Sequence, residues 1–140
     1  MGMTHELKSY ITQETAFETA DVTANTDGVI IDTQGFCNVL LVAIAGGLAG
    51  GTFAARIEHG DDSGLSDAAV VPNDDLVGER NNPLTPDIDM DFDAATDDNL
   101  SKSVNYIGKK RYLRLSYDPT TPSGVNDITG VAIKVDAMNV

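Results

Sequence analysis

The chain has 140 residues, of which 41% are hydrophobic and 22% charged, and a formal net charge of -13 at pH 7. One domain of this size buries about two-thirds of the surface its unfolded chain exposes, so a single core suffices without staples. The acidity excludes binding along a nucleic-acid backbone, where cationic contacts supply the affinity, and the lone Cys37 excludes an internal disulfide.

Residues 1–14 are polar, with Leu7, Tyr10 and Ile11 as their scattered apolar residues, and read either as a frayed terminus or as an extended arm laid on a neighbouring subunit. The opening MGMTHELKSY has no basic-then-apolar leader. The longest apolar run, 39–45, falls far short of the roughly 20 residues a spanning helix needs. A soluble protein is expected, with no membrane partner.

The body is expected to be one domain, 15–140. Phe17, Val22 and Ala24 fall in a first strand, Thr26-Asp27-Gly28 in a turn that exploits the conformational freedom of glycine, and Val29-Ile30-Ile31 in a returning strand. Residues 36–45, FCNVLLVAIA, are apolar in both alternation classes, which suits a central strand covered on both sides and places Cys37 as a buried small hydrophobe. A helix is the competing reading; β-branched residues and flanking glycines favour the strand. After the glycine-rich 46–51, Phe53, Ala55 and Ile57 alternate with Arg56 and Glu58, so the two segments read as a hairpin with a flexible tip. Gly46 and Gly51 have phosphate-loop spacing, but Thr52 stands where the required lysine belongs.

Residues 60–64 form a surface turn, 68–71 a short strand stopped by Pro72, and 73–86 a long excursion rich in turn residues that includes Leu76 and Arg80. Long excursions in compact domains commonly carry contacts. Asp87, Asp89, Asp91 and Asp93 then alternate with Ile88, Met90 and Phe92, giving a half-buried strand or extended loop with an anionic outer face. From 61 to 98 there are a dozen carboxylates and only Arg80 to oppose them, so a basic or metal-bridged partner would relieve the repulsion. A calcium loop fails because Phe92 replaces its glycine and the closing glutamate is missing, although an unpatterned calcium or magnesium site is not removed by that failure. Residues 94–103 read as turn.

Residues 105–117, NYIGKKRYLRLSY, hold four of the nine basic residues: Lys109, Lys110, Arg111 and Arg114. A short strand bends at Gly108, and a long one follows with Arg111, Leu113, Leu115 and Tyr117 on one face and Tyr112, Arg114 and Ser116 on the other. The arginines read either as structural ion pairs with aspartates or, with Tyr112, as a contact to another chain. Residues 118–124 are a loop, and Thr129, Val131, Ile133 and Val135 share one side of a closing strand.

Short strands, glycine and proline turns and no long helix predict an all-β antiparallel sandwich. Catalysis finds little equipment: His5, His59 and Cys37 have no ligand spacing, and the nucleophile elbow Gly-x-Ser-x-Gly is absent. The expectation is a protein that is not an enzyme and needs no cofactor. Tyr106-Ile107-Gly108-Lys109-Lys110-Arg111-Tyr112-x-Arg114, with residues 31–36, IDTQGF, and a glycine-rich turn after an apolar strand, resembles small head proteins of tailed bacteriophages over roughly 27–135. The resemblance implies a jelly roll, which periodicity alone does not choose over an immunoglobulin-like sandwich. It also implies a decoration or cement protein made in the host cytoplasm, carried as a dimer or trimer on the outer capsid surface and bound to the major capsid protein. Expected contact residues are Tyr10, Ile11, Leu76, Arg80, Asp87, Asp89, Asp91, Tyr112 and Arg114. The alternative is a carbohydrate- or host-surface-binding module, for which the chain offers no tryptophan and only 6% aromatic residues.

Overall fold

The computed structural model describes residues 8–19, 21–78, 80–82 and 85–136, with backbone alone for 19, 80–82 and 85–88. Among them run the strands β1 (Ile11–Thr19), β2 (Ile31–Asp32), β3 (Phe36–Leu48), β4 (Thr52–Gly60), β5 (Ala69–Val70) and β6 (Leu76–Gly78). They are followed by β7 (Arg80–Asn82), β8 (Thr85–Ile88), β9 (Phe92–Asp93), β10 (Ser101–Tyr106), β11 (Tyr112–Thr120) and β12 (Asn126–Asp136). Two single 3-10 turns, Lys8–Tyr10 and Asn73–Asp75, complete the regular structure. The larger sheet has the order β1-β12-β3-β10-β6; the smaller runs β2-β11-β4-β5, with β9 also on β4, and β7 pairs with β8 in a ribbon. The pairings are antiparallel. The result is the expected antiparallel β-sandwich.

Aromatic rings fill the space between the sheets. Tyr117 meets Phe17 edge-on at 5.3 Å and Phe92 at 5.8 Å between centroids, and all three are fully buried. Its hydroxyl donates to the Met90 carbonyl at 2.9 Å, so burying the ring leaves no polar atom stranded. Leu113 and Leu115 of β11 and Phe53 and Ile57 of β4 point inward as their alternation requires. The larger sheet answers with small residues: Ala43 and Ala45 on β3 and Gly130 and Ala132 on β12. A Cβ on Gly130 would sit 3.1 Å from that of Phe17 and 3.4 Å from Leu115 Cδ2, so the close approach of β1 and the Leu115 side chain leave little room for a larger residue.

Behind these small residues, Val131 and Ile133 of β12 and Leu40 and Val42 of β3 face outward. Ala132 and Val39, Leu41 and Ala43 are buried, whereas Val131, Ile133, Leu40 and Val42 are half-buried and Ile44 is 46% exposed. β3 is therefore central in its sheet but covered on one side only, which corrects the two-sided reading. Cys37 is exposed, not buried, because it sits at the end of β3 where the register with β12 shifts; its thiol donates to the carbonyls of Val135 and Asp136 at 3.4 Å.

Two connections also differ from expectation. β3 and β4 form no hairpin: they lie in different sheets, and the glycine-rich segment crosses between them. Asn126 holds that crossing, its buried Oδ1 accepting from Ala49 N at 2.8 Å and Gly50 N at 3.1 Å, while Gly51 turns the chain at φ +105°. The expected arm of residues 1–14 is shortened, because Ile11 to Glu14 pair with Val135 to Ala132 in the ladder. The chain before Lys8 lies outside the described residues. The first strand thus comes earlier than Val22 and Ala24, which sit in the irregular segment after it.

That segment ties the sheets together along one side. Val29 N donates to Ala16 O of β1 at 2.8 Å, while Thr26 exchanges two hydrogen bonds with Tyr117 of β11. Between them, Gly28 N donates to Ser116 Oγ, and a Cβ there would fall 1.9 Å from Leu115 O and 2.5 Å from Ala16 O. No relaxation short of parting the two sheets accommodates it. Gly28→Ala is expected to destabilise the fold by about 3 kcal/mol or more. Gly47→Ala, in β3 with nothing within 4 Å of the added carbon, should change stability by less than about 0.5 kcal/mol. Urea unfolding of the two variants checks the contrast.

Candidate contact surfaces

The outer face of the smaller sheet carries an ion-pair network. Arg56 on β4 donates through Nε to Asp118 Oδ2 at 2.9 Å, through Nη2 to Asp27 Oδ1 at 2.9 Å, and through Nη1 to Glu58. Arg114, opposite Glu58 in the β11–β4 ladder, bonds Glu58 at 3.1 Å and Asp27 at 3.2 Å. Strand register makes this happen, since Arg56, Glu58, Arg114 and Asp118 all fall on the outward alternation. Arg114 and Glu58 are 15% and 13% exposed, so much of their charge is already withdrawn from water. Arg114 is thus held by its own chain, as the ion-pair reading expected. Tyr112, two residues earlier, is half-buried, with the Arg111 guanidinium 5.0 Å above its ring.

The turn between β10 and β11 is a second polar centre. Tyr106 hydroxyl lies 2.8 Å from His59 Nδ1 and accepts from Lys110 N at 3.2 Å; its ring crosses Gly108, where a Cβ would fall 2.5 Å away. Burial pushes the Tyr106 phenol up to about 12. Lys110 pairs with Asp61 at 2.6 Å, and Arg111 forks onto Asp32 at 3.0 and 2.9 Å. The Arg111 hydrogen bond, helped by Gln34 N, holds Asp32 down at about 2. Asp27 is lowered by the Arg56 hydrogen bond, and Asp61 by that of Lys110.

The aspartate stretch borders a cleft of about 430 Å³ lined by Asp89, Asp91, Asp93, Asp97 and Lys102. Lys102 Nζ donates to Asp89 Oδ1 at 2.9 Å, to Asp97 Oδ2 at 3.4 Å and to the Asp91 carbonyl, and it lies 5.4 Å above the Phe92 ring. Asp91 Oδ1 accepts from Ala55 N at 2.7 Å and Asp93 Oδ1 from Ala95 N at 2.9 Å. The neutralising cation expected for these carboxylates is thus a lysine of the same chain. Met90 and Phe92 are buried, as their alternation predicted. The stretch is strand only at its ends, β8 and β9, with an extended loop between.

The expected contact residues fall in separate places. Asp89 and Asp91 meet at the cleft, Tyr112 and Arg114 share the outer face of β11, and Tyr10 and Ile11 stand at the start of β1, both half-buried. Leu76 is corrected: it is 6% exposed and part of the core, because β6 joins β10 with Leu76 opposite Tyr106. Residues 80 and 88 pair in the β7–β8 ribbon, and the side chains of Arg80 and Asp87 lie outside the described residues. Sequence reasoning missed Lys102 and Asn126; Lys102 shares its alternation with Val104 and Tyr106, which is the signal that turns it towards the cleft.

The third surface is the outer face of the larger sheet. Its central rows read Gln13–Ile133–Leu40–Asn105–Val77 and Thr15–Val131–Val42–Ser103 across the strands. Glu18, beside Thr129 and Ile44, and Asp127, one outward position earlier on β12, stand at the margin, and Lys8 Nζ donates to Gln13 Oε1 at 3.2 Å on the edge strand.

These features define an antiparallel β-sandwich with charged and uncharged outer faces. No family model matches the chain, and no curated protein matches it. Its fold is similar to that in the crystal structure of SPBc2 prophage-derived protein YomS, with a TM-score of 0.51 and 16% identity over 90% of this chain and 93% of that one.

Two outcomes follow from the charge networks. Glu58→Ala, which leaves two guanidinium groups short of an acceptor, should lower stability by about 2 kcal/mol in urea unfolding. Asp32 has its folded pKa below the unfolded value, so its contribution is present above about pH 4 and is lost as pH falls towards 2. Relief of the net negative charge acts in the opposite sense over the same range. The readout is therefore the difference between wild type and Asp32→Asn: a positive difference at neutral pH that vanishes by about pH 2.

Proposed function

We propose that this chain is a structural virion protein of a tailed bacteriophage, a decoration protein that binds the outside of the head and braces neighbouring major capsid protein subunits. Strand order carries the reading. β1, β12, β3 and β10 lie side by side in one sheet and β2, β11, β4 and β5 in the other, so successive main strands alternate between sheets. That is how a jelly roll winds, an architecture of viral capsid and lectin domains. The prophage origin of the structural neighbour supports a phage setting.

Attachment would spread binding energy across subunit boundaries, so that expansion of the shell must break it. The acidic cleft with Asp89 and Asp91, the excursion 73–86 and the segment before β1 are the surfaces assigned to the capsid, and they suit a basic counterpart. Copies would associate as a dimer or trimer. The exposed large apolar side chains among the described residues are all aliphatic, which weighs against the sugar-binding alternative with its aromatic platforms. In co-sedimentation with expanded, emptied heads of the phage that encodes the chain, the protein is expected to pellet with the heads, less so as salt rises. Absence from the pellet at both low and moderate salt removes the reading, and glycan-array binding by a chain indifferent to heads would install the alternative.

A further inference from the structure

The charge of the chain is unevenly spread. Of its residues 22% are charged, yet among the described residues the charged side chains of the outer face of the larger sheet stand towards its margins: Glu18 on β1, Asp127 near the start of β12, and Lys8, which reaches Gln13 on the edge strand. The centre of that face is Leu40, Val42, Val131 and Ile133, flanked by Ile44, 46% exposed, and by Val77 on the edge strand, 57% exposed. Inside, the same two strands present Ala43, Ala45, Gly130 and Ala132 opposite Phe17 and Leu115, with the larger Val39, Leu41 and Ile128 on either side. An apolar alternation turned to water on the two central strands is the reverse of the usual pattern for a half-solvated antiparallel sheet.

We infer that a second copy of this chain docks on this face, sheet against sheet, about a two-fold axis. Three observations select that occupant. Two bodies of charge -13 repel wherever their acidic surfaces approach, and this face lets them meet without juxtaposing carboxylates. Identical twisted sheets are complementary in shape and pack aligned at about 30° with interdigitating side chains. Four strands about 4.8 Å apart with three or four outward residues each, and Val77 on the short β6, give a face of roughly 20 by 20 Å, or about 800 Å² buried over two copies, the size of a weak, reversible interface. Within it lies Asn105, between Leu40 and Val77, whose Oδ1 has no hydrogen-bond partner in the single chain. Turning that amide outward offers it to donors of the facing copy.

The inference deepens the reading of the protein as an oligomeric virion component, but the two fail separately. Sedimentation velocity of the purified full chain from about 1 to 100 μM should show a monomer–dimer equilibrium in the micromolar range. The dimer should tighten as salt rises, because screening weakens the repulsion between like-charged copies. Val42→Lys should weaken dimerisation at least tenfold with an unchanged circular dichroism spectrum, and Ile133→Thr, a milder change, should weaken it measurably if the lysine variant does not fold. Thr120→Lys, on the smaller sheet, should leave it unaltered. A wild type that stays monomeric throughout, or a dimer indifferent to both face variants, overturns the inference. So does a monomeric chain whose binding to heads is lost in Val42→Lys, which would give the face to the capsid. A dimer of the expected kind that ignores heads upholds this contact and removes only capsid attachment.

Discussion

The volume between the sheets is the constraint from which the other features follow. Phe17, Tyr117 and Phe92 occupy it with edge-on and tilted contacts, and Leu113 and Leu115 fill the remainder. Such rings bring large hydrophobic area and fixed geometry, and close packing leaves the facing strand no room to add bulk. Gly130, Ala132, Ala43 and Ala45 are the complement of that filling, and the outward display of Val131, Ile133, Leu40 and Val42 is its consequence. The closeness of the sheets at Gly28 belongs to the same arrangement, since the backbone there touches both β1 and β11.

Acidity is managed by placement as much as by pairing. Arg56 and Arg114 bind Asp27, Glu58 and Asp118 on the smaller sheet, Lys102 serves the cleft, and Lys110 and Arg111 serve Asp61 and Asp32 at the turn. Five of the nine basic residues are thereby committed on the side of β11 and β4 or at the cleft beside it, and the central rows of the larger sheet's outer face are built of uncharged side chains. The two outer surfaces differ in what they can join: one is occupied by internal ion pairs, the other is apolar at its centre.

Local pattern located most strands, because alternation with a neighbour-independent period needs no knowledge of partners. β4 was legible residue by residue, and β11 down to the inward Leu115 and the outward Arg114, but Arg111 lies before the strand and Asp118 to Thr120, which read as loop, continue it beside Ala54 to Thr52. What pattern does not encode is which side of an apolar alternation meets the core. Val131, Ile133 and Val135 look like a buried set, but the face that meets the core is the one on which Gly130 packs against Phe17, more than a hundred residues away in sequence. The same limit explains the hairpin: glycines between two strands announce a reversal, while the sheet that the second strand joins depends on β11 and on the side chain of Asn126. Ser101–Tyr106 escaped as a strand because its exposed alternation is Ser, Ser and Asn, which composition reads as turn. Of the candidate surfaces, the aspartate cleft was visible as charge, but its internal counter-ion was not.

Lys102 gives that cleft a property a bound metal could not. An ammonium on a strand of the same chain is present at an effective concentration fixed by the fold, and neither dilution nor a chelator can remove it. The loop from Asp89 to Asp97 therefore needs no divalent cation to hold its shape, and the hardness of the medium does not bear on it.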